Sequence, residues 1–150
     1  MEKKIDEKDR KILEILTEHG DYATRQISKK TGLPITTVHN RIARLKKERI
    51  IKRFTVDLDH HKLKQGFRAY ILVSVNLSLL KEKKKSQYDI VKEIRHFPFV
   101  ERVDIVSGGP DLVVMIRVKD VAEFDAILLT KLQHIEGIEK TQSLIVIHEN

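Results

Sequence analysis

The sequence predicts an α+β protein with two domains, an N-terminal (winged) helix-turn-helix domain and a C-terminal ferredoxin-like βαββαβ domain. In residues 5–48, apolar positions recur at helical spacing on both sides of a short break at Gly32 to Pro34. In residues 69–147, β-branched runs and amphipathic helical patterns follow the order strand, helix, strand, strand, helix, strand. We place the domains at 1–58 and 68–150, with a polar linker at 59–67.

Charge is concentrated in one part of this chain of 150 residues, whose net charge is +7. The thirty residues 24–53 contain ten Lys or Arg and one acid, whereas basic and acidic residues balance from residue 65 onward. Such a segment is built to meet a polyanion. The chain has no cysteine, no apolar run of membrane-spanning length and no signal-peptide pattern, so we expect a soluble, cytoplasmic protein. Many Lys and Glu residues resemble a thermophile composition.

Three helices are expected in the first domain. Asp6 is a candidate N-cap for the first helix, which His19 and Gly20 end. Thr24 is a candidate N-cap for the second helix. Pro34 starts the third helix, where its missing N–H has no helical partner, and this helix is expected to run to about Glu48.

The third helix carries the residues that predict function. Val38, Ile42 and Leu45 form its buried stripe, and its opposite face carries side chains that reach phosphates and base edges. We therefore expect this helix to enter a DNA major groove. Arg41 and Arg44 are placed on the exposed side, so replacing both by alanine should abolish operator binding without changing the melting temperature. The predicted DNA-binding residues are Arg25, Thr36, Thr37, His39, Asn40, Arg41, Arg44, Lys46, Lys47, Lys52 and Arg53.

The register of this domain resembles that of the Lrp/AsnC (feast/famine) family of transcriptional regulators. The matching positions are Asp6, Asp9, Ile12, Leu13, Leu16, Ile27, Gly32, Leu33, Thr37, Val38, Arg41, Ile42, Leu45, Ile50 and Ile51. Before the second domain, three positions depart from the family pattern: Pro34 replaces a serine cap, and Arg49 and Lys64 replace glycines. A left-handed Arg49 would cost about 1 kcal/mol, so the sequence leaves the shape of this helix end open.

The second domain is expected to pair with a second copy. The predicted strands at 112–116 and 144–147 are apolar at odd and even positions alike, so both faces of the sheet are apolar. A monomer would therefore expose a large apolar patch. Packing two sheets together gives a dimer with two DNA-binding helices. The family resemblance further implies assembly into tetramers or octamers.

An effector site is implied at the turn before the third strand. In the family, an amino acid binds at a glycine-containing turn that ends in Asp, with help from the last strand; here Pro110 replaces the family's aromatic residue. Backbone N–H groups suit a carboxylate, and Asp111 suits an ammonium group. The predicted effector residues are Ser107, Gly108, Gly109, Pro110, Asp111, Thr141 and Ser143. The same turn is also a good plain hairpin.

Two other functions remain open from the sequence. One is an Lrp-like enzyme of the siroheme decarboxylase type, for which His96, His134 and His148 can serve. The other is a protein that coats DNA without an effector. No metal or cofactor site is predicted, because His60 and His61 lack zinc spacing, and catalytic motifs are absent. The lysines between 81 and 85 predict a solvated loop with possible DNA contact.

Overall fold

The chain forms two compact units, Met1–Leu58 and Asp59–Asn150, which we call the N-terminal and C-terminal units. A computed structural model describes residues 4–149. The segment 59–67, which the sequence indicates as a linker, belongs to the C-terminal unit by its contacts, and a strand begins at its last residue, Phe67. None of the helices in residues 4–149 is long and apolar enough to cross a lipid bilayer.

The N-terminal unit is a three-helix fold. Its helices are α1 (Glu7–Glu18), α2 (Thr24–Thr31) and α3 (Ile35–Lys47). Ile12, Ile27 and Val38 contribute one fully buried side chain from each helix, so the apolar stripes meet in one small core. The third helix ends one residue before the predicted Glu48, which is its C-cap.

Local sequence explains how these helices begin and turn. Asp6 caps α1 in a capping box with Asp9, as its position predicts. The N-cap of α2 is Ala23, whose N–H donates to the Gln26 side chain, so the prediction of Thr24 as the cap is wrong. Gly32 ends α2 with a left-handed φ of 70°, which glycine adopts without steric cost.

The end of α3 adopts the geometry of a glycine cap without a glycine. Arg49 has a φ of 55°, and the N–H groups of Ile50 and Ile51 both donate to the Leu45 carbonyl. The chain therefore adopts a turn that glycine would favour and accepts the strain on Arg49. In the described part of the chain, residues 51–58 contain no regular strand.

The C-terminal unit is a four-stranded sheet with helices on one face. Its elements are β1 (Phe67–Val75), α4 (Leu77–Glu82), α5 (Gln87–Arg95), β2 (Val100–Ile105), β3 (Leu112–Val118), α6 (Val121–Thr130), a 3₁₀ turn (Leu132–His134) and β4 (Ile138–Ile145). The strand order is β2-β3-β1-β4 with antiparallel pairing throughout, which confirms the ferredoxin-like prediction. The short helix α4, capped by Asn76, was not expected from the sequence.

The two faces of this sheet have different environments. Ile71, Val73 and Val114 are fully buried on the face that the helices cover. The alternate residues Tyr70 and Leu72 of β1 and Val113 and Met115 of β3 point to the opposite face of the sheet and are only half-buried. The apolar residues of this second face, which we call the open face, are Tyr70, Leu72, Val113, Met115 and Leu144.

Candidate nucleic-acid interface and effector cleft

The surface of α3 opposite the core is exposed and polar. Thr36, His39, Asn40 and Lys47 are exposed, and Thr37 is half-buried. With about 100° per residue, Thr36, Asn40 and Lys47 lie within about 40° of one line along the helix, opposite Val38. The structure therefore presents donors, acceptors and a cation together on one face of α3, which is the chemistry that base edges and phosphates require.

Arg41 and Arg44 lie on a different side of α3, beside the start of α1. The Nη1 group of Arg41 donates to both Asp6 carboxylate oxygens at 2.7 Å and to Asp9 Oδ1 at 2.8 Å. Arg44 Nη2 donates to Asp9 Oδ2. The Asp9 side chain is 0% exposed, while those of Arg41 and Arg44 are 22% and 20% exposed. We call these four residues the aspartate–arginine clamp.

The clamp holds Asp9 in its charged form. Burial by itself would raise the pKa of Asp9, but hydrogen bonds from Arg44, the Asp6 N–H and Arg41 outweigh it and lower the pKa to about 2. Hydrogen bonding by Arg41 also lowers the pKa of Asp6. A cavity of about 330 Å³ adjoins the clamp, with Thr37 and Asn40 among its lining residues.

Two expectations about Arg41 and Arg44 are corrected by this geometry. They do not lie on a freely solvated face, because both guanidinium groups are bonded to α1. Replacing both by alanine would leave Asp9 buried without its partners, so the melting temperature is expected to fall. A role for the two arginines in DNA contact stays a prediction.

The other predicted cations lie where they can meet a polyanion. Arg25 is exposed in the first turn of α2, and Lys52 and Arg53 are exposed in the irregular segment after α3. Lys46 is also exposed, and its ammonium group lies 5.6 Å from the centre of the Phe54 ring.

Sequence reasoning missed one residue on the exposed face of α3. Ala43 is exposed and lies between Asn40 and Lys47 on that face. A small apolar side chain in this position suits contact with a thymine methyl group. Because its side chain is apolar, a pattern of polar residues does not identify Ala43, whereas a helical projection of α3 does.

The predicted effector turn lies between β2 and β3, and its aspartate is already bonded. Ser107, Gly108 and Gly109 are exposed. Asp111 Oδ2 accepts from the Val75 N–H at 2.9 Å, and Asp111 Oδ1 accepts from the Gln87 amide at 3.0 Å. Asp111 therefore ties the turn to β1 and α5, and an ammonium group would have to share its carboxylate with these donors.

A cleft of about 200 Å³ opens beside this turn, and we call it the turn cleft. Its lining residues are Leu72, Ser74, Gly109, Pro110, Lys140 and Gln142. The structure does not bring Thr141 and Ser143 to it. These two pair with Val73 and Ile71, whose side chains are buried under the helices, so they share the covered face. The signal that identifies Lys140 and Gln142 is strand parity, which becomes usable once the register is known.

The remaining candidates from the sequence lie on separate elements. His96 follows α5, His134 is in the 3₁₀ turn and His148 follows β4, and each is exposed. Among residues 4–149, no three His, Asp or Glu side chains form a metal-binding group. In the lysine run, Lys83 and Lys85 form ion pairs with Glu136.

An ion-pair network covers one end of the sheet. Arg68 and Arg117 lie directly opposite each other on β1 and β3, where like charges repel. Glu149 accepts hydrogen bonds from both arginines, and Glu101 forms ion pairs with both. Hydrogen bonding by Arg117 is the main cause that lowers the pKa of Glu149 to about 2.

Family models match both units. Residues 5–52 match a winged helix-turn-helix DNA-binding model, and residues 69–150 match the Lrp/AsnC ligand binding domain. Among curated relatives, the HTH-type transcriptional regulator FL11 from Pyrococcus furiosus is 34% identical over 143 residues, covering 95% of this chain and 89% of the relative. An HTH-type transcriptional regulator from Pyrococcus horikoshii is 33% identical over 141 residues, covering 94% and 91%.

Solved structures show the same fold. The L-Met complex of a transcriptional regulator from Neisseria meningitidis matches with a TM-score of 0.88 and 23% identity, covering 97% of this chain and 92% of that one. The structure of AsnC from E. coli matches with a TM-score of 0.84 and 21% identity, covering 98% and 95%.

Proposed function

The chain belongs to the Lrp/AsnC family of transcriptional regulators, and we propose that it reads a specific DNA sequence with the exposed face of α3 and responds to an amino acid bound in the turn cleft. The exposed face of α3 carries the proposal, because it combines Thr36, Asn40 and Lys47 in a segment with ten basic residues. An amide side chain distinguishes adenine by two hydrogen bonds in the major groove, while lysine binds phosphate without sequence preference.

The DNA proposal is tested by selection and titration. The wild-type chain is used to enrich duplexes from a randomised library, and affinity for the enriched duplex and for a mixed-sequence duplex is measured by fluorescence anisotropy. Asn40→Ala should weaken binding to the enriched duplex by about 1–3 kcal/mol and leave binding to the mixed-sequence duplex nearly unchanged. Lys47→Gln should weaken both alike. Enrichment of no sequence by the wild-type chain would refute sequence-specific reading.

The effector proposal rests on the chemistry of the turn cleft. Lys140 offers a cation for a carboxylate, Gln142 offers an amide, and Leu72 offers an apolar wall. The similar Neisseria regulator was solved with L-Met, which supports an amino acid as the ligand class. The effector would act by binding two assembly states with different affinity, which changes the spacing of the DNA-reading helices.

Calorimetry with the twenty amino acids tests this site. We expect heat with at least one of them, and Lys140→Gln should abolish it because the carboxylate loses its partner. The matched control is Lys131→Gln, which removes an exposed lysine that is not among the residues lining the cleft. The absence of heat with every amino acid would refute the effector and favour a DNA-coating function.

We further propose that two copies pair through the open face. Tyr70, Met115 and Leu144 lie side by side across three strands, and 46% of Leu144 is exposed. Burying such a strip against a second copy removes apolar area from water and gives a dimer with twofold symmetry. Sedimentation should therefore show a dimer or larger assembly for the wild type. Leu144→Asp should shift it towards monomer, and Val121→Asp, an exposed apolar position on α6, should not.

A regulator of this kind works where the chromosome is held, so we propose a cytoplasmic location. The curated relatives are named as transcriptional regulators, and the proposal assigns this chain no catalytic step.

A further inference from the structure

The two arginines at the centre of the basic segment have a different role from its other cations. We infer that Arg41 and Arg44 are positioning residues, which fix α3 against α1 and leave DNA contact to the exposed face of α3. This inference rests on the proposed DNA-binding function and gives the aspartate–arginine clamp a positioning role in it.

The first argument is the way the clamp is built. Arg41 bridges both aspartates with one nitrogen, and Asp9 accepts from Arg41 and Arg44 on separate oxygens. Asp6 and Asp9 are already held by each other's backbone N–H groups at 2.9 and 3.1 Å. The carboxylates are thus fixed before they meet α3, and the arginines take their orientation from α1.

The second argument is the direction in which the arginines lie on the helix. Measured from the buried Val38, Asn40 lies about 160° away around α3, whereas Arg41 lies about 60° away. Arg44 lies between them, about 120° from Val38 on the same flank as Arg41. By angle around the helix, the ridge of Asn40 and Lys47 is therefore closer to Arg44 than to Arg41.

The third argument is electrostatic. Two carboxylates and two guanidinium groups have no net charge, so a phosphate that approaches the clamp meets two anions as well as two cations. Lys47, by contrast, is exposed and forms no ion pair among residues 4–149. Phosphates are therefore attracted to the ridge rather than to the clamp.

The salt dependence of DNA affinity separates contact from positioning. The double variant Asp9→Asn with Arg44→Gln preserves net charge and leaves a neutral pair that can still hydrogen-bond. Its control, Lys47→Gln with Glu48→Gln, also preserves net charge and removes an exposed cation of the ridge. Both are titrated, as full chains, with a mixed-sequence duplex between 50 and 200 mM salt.

The expected slopes differ because each phosphate contact contributes about 0.9 to the dependence of log affinity on log salt. The clamp variant should keep the wild-type slope. In the control variant the magnitude of this slope should fall by about 0.9. The change in affinity between 50 and 200 mM salt should then be roughly threefold to fourfold smaller than for the wild type. A loss of about 0.9 in the clamp variant would show that Arg44 contacts phosphate and would overturn the inference.

Sequence preference separates positioning from a purely structural role. Asp9→Asn alone keeps every cation of α3 but weakens the bonds that hold Arg41 and Arg44 to α1, because a neutral amide replaces the carboxylate. Measured well below its unfolding temperature, this variant should lose severalfold in the ratio of affinities for the library-enriched and mixed-sequence duplexes. An unchanged ratio would show that the clamp serves stability alone and would overturn the positioning role. If the wild-type chain binds neither duplex, the proposed DNA-binding function itself has failed.

Discussion

Asp9→Asn is expected to destabilise the N-terminal unit by an amount that depends on pH. The ordinary Asp pKa of 3.8 falls to about 2 in the fold, and one pKa unit is worth about 1.4 kcal/mol. The Asp9 charge therefore contributes about 2 kcal/mol of stability at pH 7. Because the folded pKa is the lower one, this contribution is complete above pH 4 and decreases as pH falls towards 2. By pH 3 about 1 kcal/mol of it is lost.

The assay is urea unfolding of the full chain at pH 7 and pH 3 at constant ionic strength. Methyl signals of Ile12 and Ile27, both fully buried, report the N-terminal unit, and Ile71 reports the C-terminal unit. At pH 7 the variant should lower the midpoint for the first two by roughly 1–2 M and leave that of Ile71 unchanged. Asp21→Asn, an exposed acid without an ion pair among residues 4–149, is the control of equal charge.

The difference between wild type and Asp9→Asn should narrow by about half at pH 3, because protonation removes the charge from the wild type as well. Equal differences at the two pH values would mean that the variant acts through lost packing or capping. A difference below about 0.5 kcal/mol at pH 7 would mean that the buried ion pairs only offset their own desolvation. Either result would refute the electrostatic account of the clamp.

Three further outcomes follow from backbone geometry and from the ion-pair network. Arg49→Gly should raise the thermal stability of the N-terminal unit by about 0.5–1 kcal/mol, because it relieves a left-handed φ of 55°, while Arg49→Ala should not. Gly137→Ala should lower the free energy of unfolding in urea by about 2–3 kcal/mol, because Gly137 has a φ of 102° and the new Cβ would lie 2.6 Å from the side chain of the core residue Leu80. Gly109→Ala is the control and should lower it much less, because the space around Gly109 is open. Glu149→Gln should lower the free energy of unfolding by about 1 kcal/mol at pH 7, because Arg117 loses a charged partner. The difference in stability between variant and wild type should decrease as pH falls from 4.5 towards 2, where Glu149 becomes protonated in the wild type as well.

Two departures from the family pattern lie at positions where the backbone is left-handed. Glycine is the usual family residue at the positions of Arg49 and Lys64, and both of these residues have left-handed φ values, 55° and 57°. The backbone turn is kept although the side chain changed, because hydrogen bonds from Ile50 and Ile51 to Leu45 fix it. The sequence left the shape of this helix end open, and the structure shows that the left-handed turn is kept although it is costly for arginine.

The predicted effector residues show where sequence reasoning reaches its limit. The turn from Ser107 to Asp111 was located correctly between two strands, because glycines and a proline mark it. The sequence predicts Thr141 and Ser143 of β4 as effector residues, whereas the β4 residues that line the turn cleft are Lys140 and Gln142. A shift of one residue along a strand exchanges its two faces, and only the pairing of β4 with β1 sets which residues face the cleft.

The sequence by itself determined the order of the elements, the concentration of positive charge in the first domain and the polar face of α3, because these depend on local periodicity and composition. Only the tertiary structure decided which cations of that basic segment are free. Arg41 lies 35 residues from Asp6 in the chain, and no local pattern reports that packing α1 against α3 brings their charges within 2.7 Å. Ion pairing of this kind is a property of the folded core, where a buried carboxylate must find its partner from another helix.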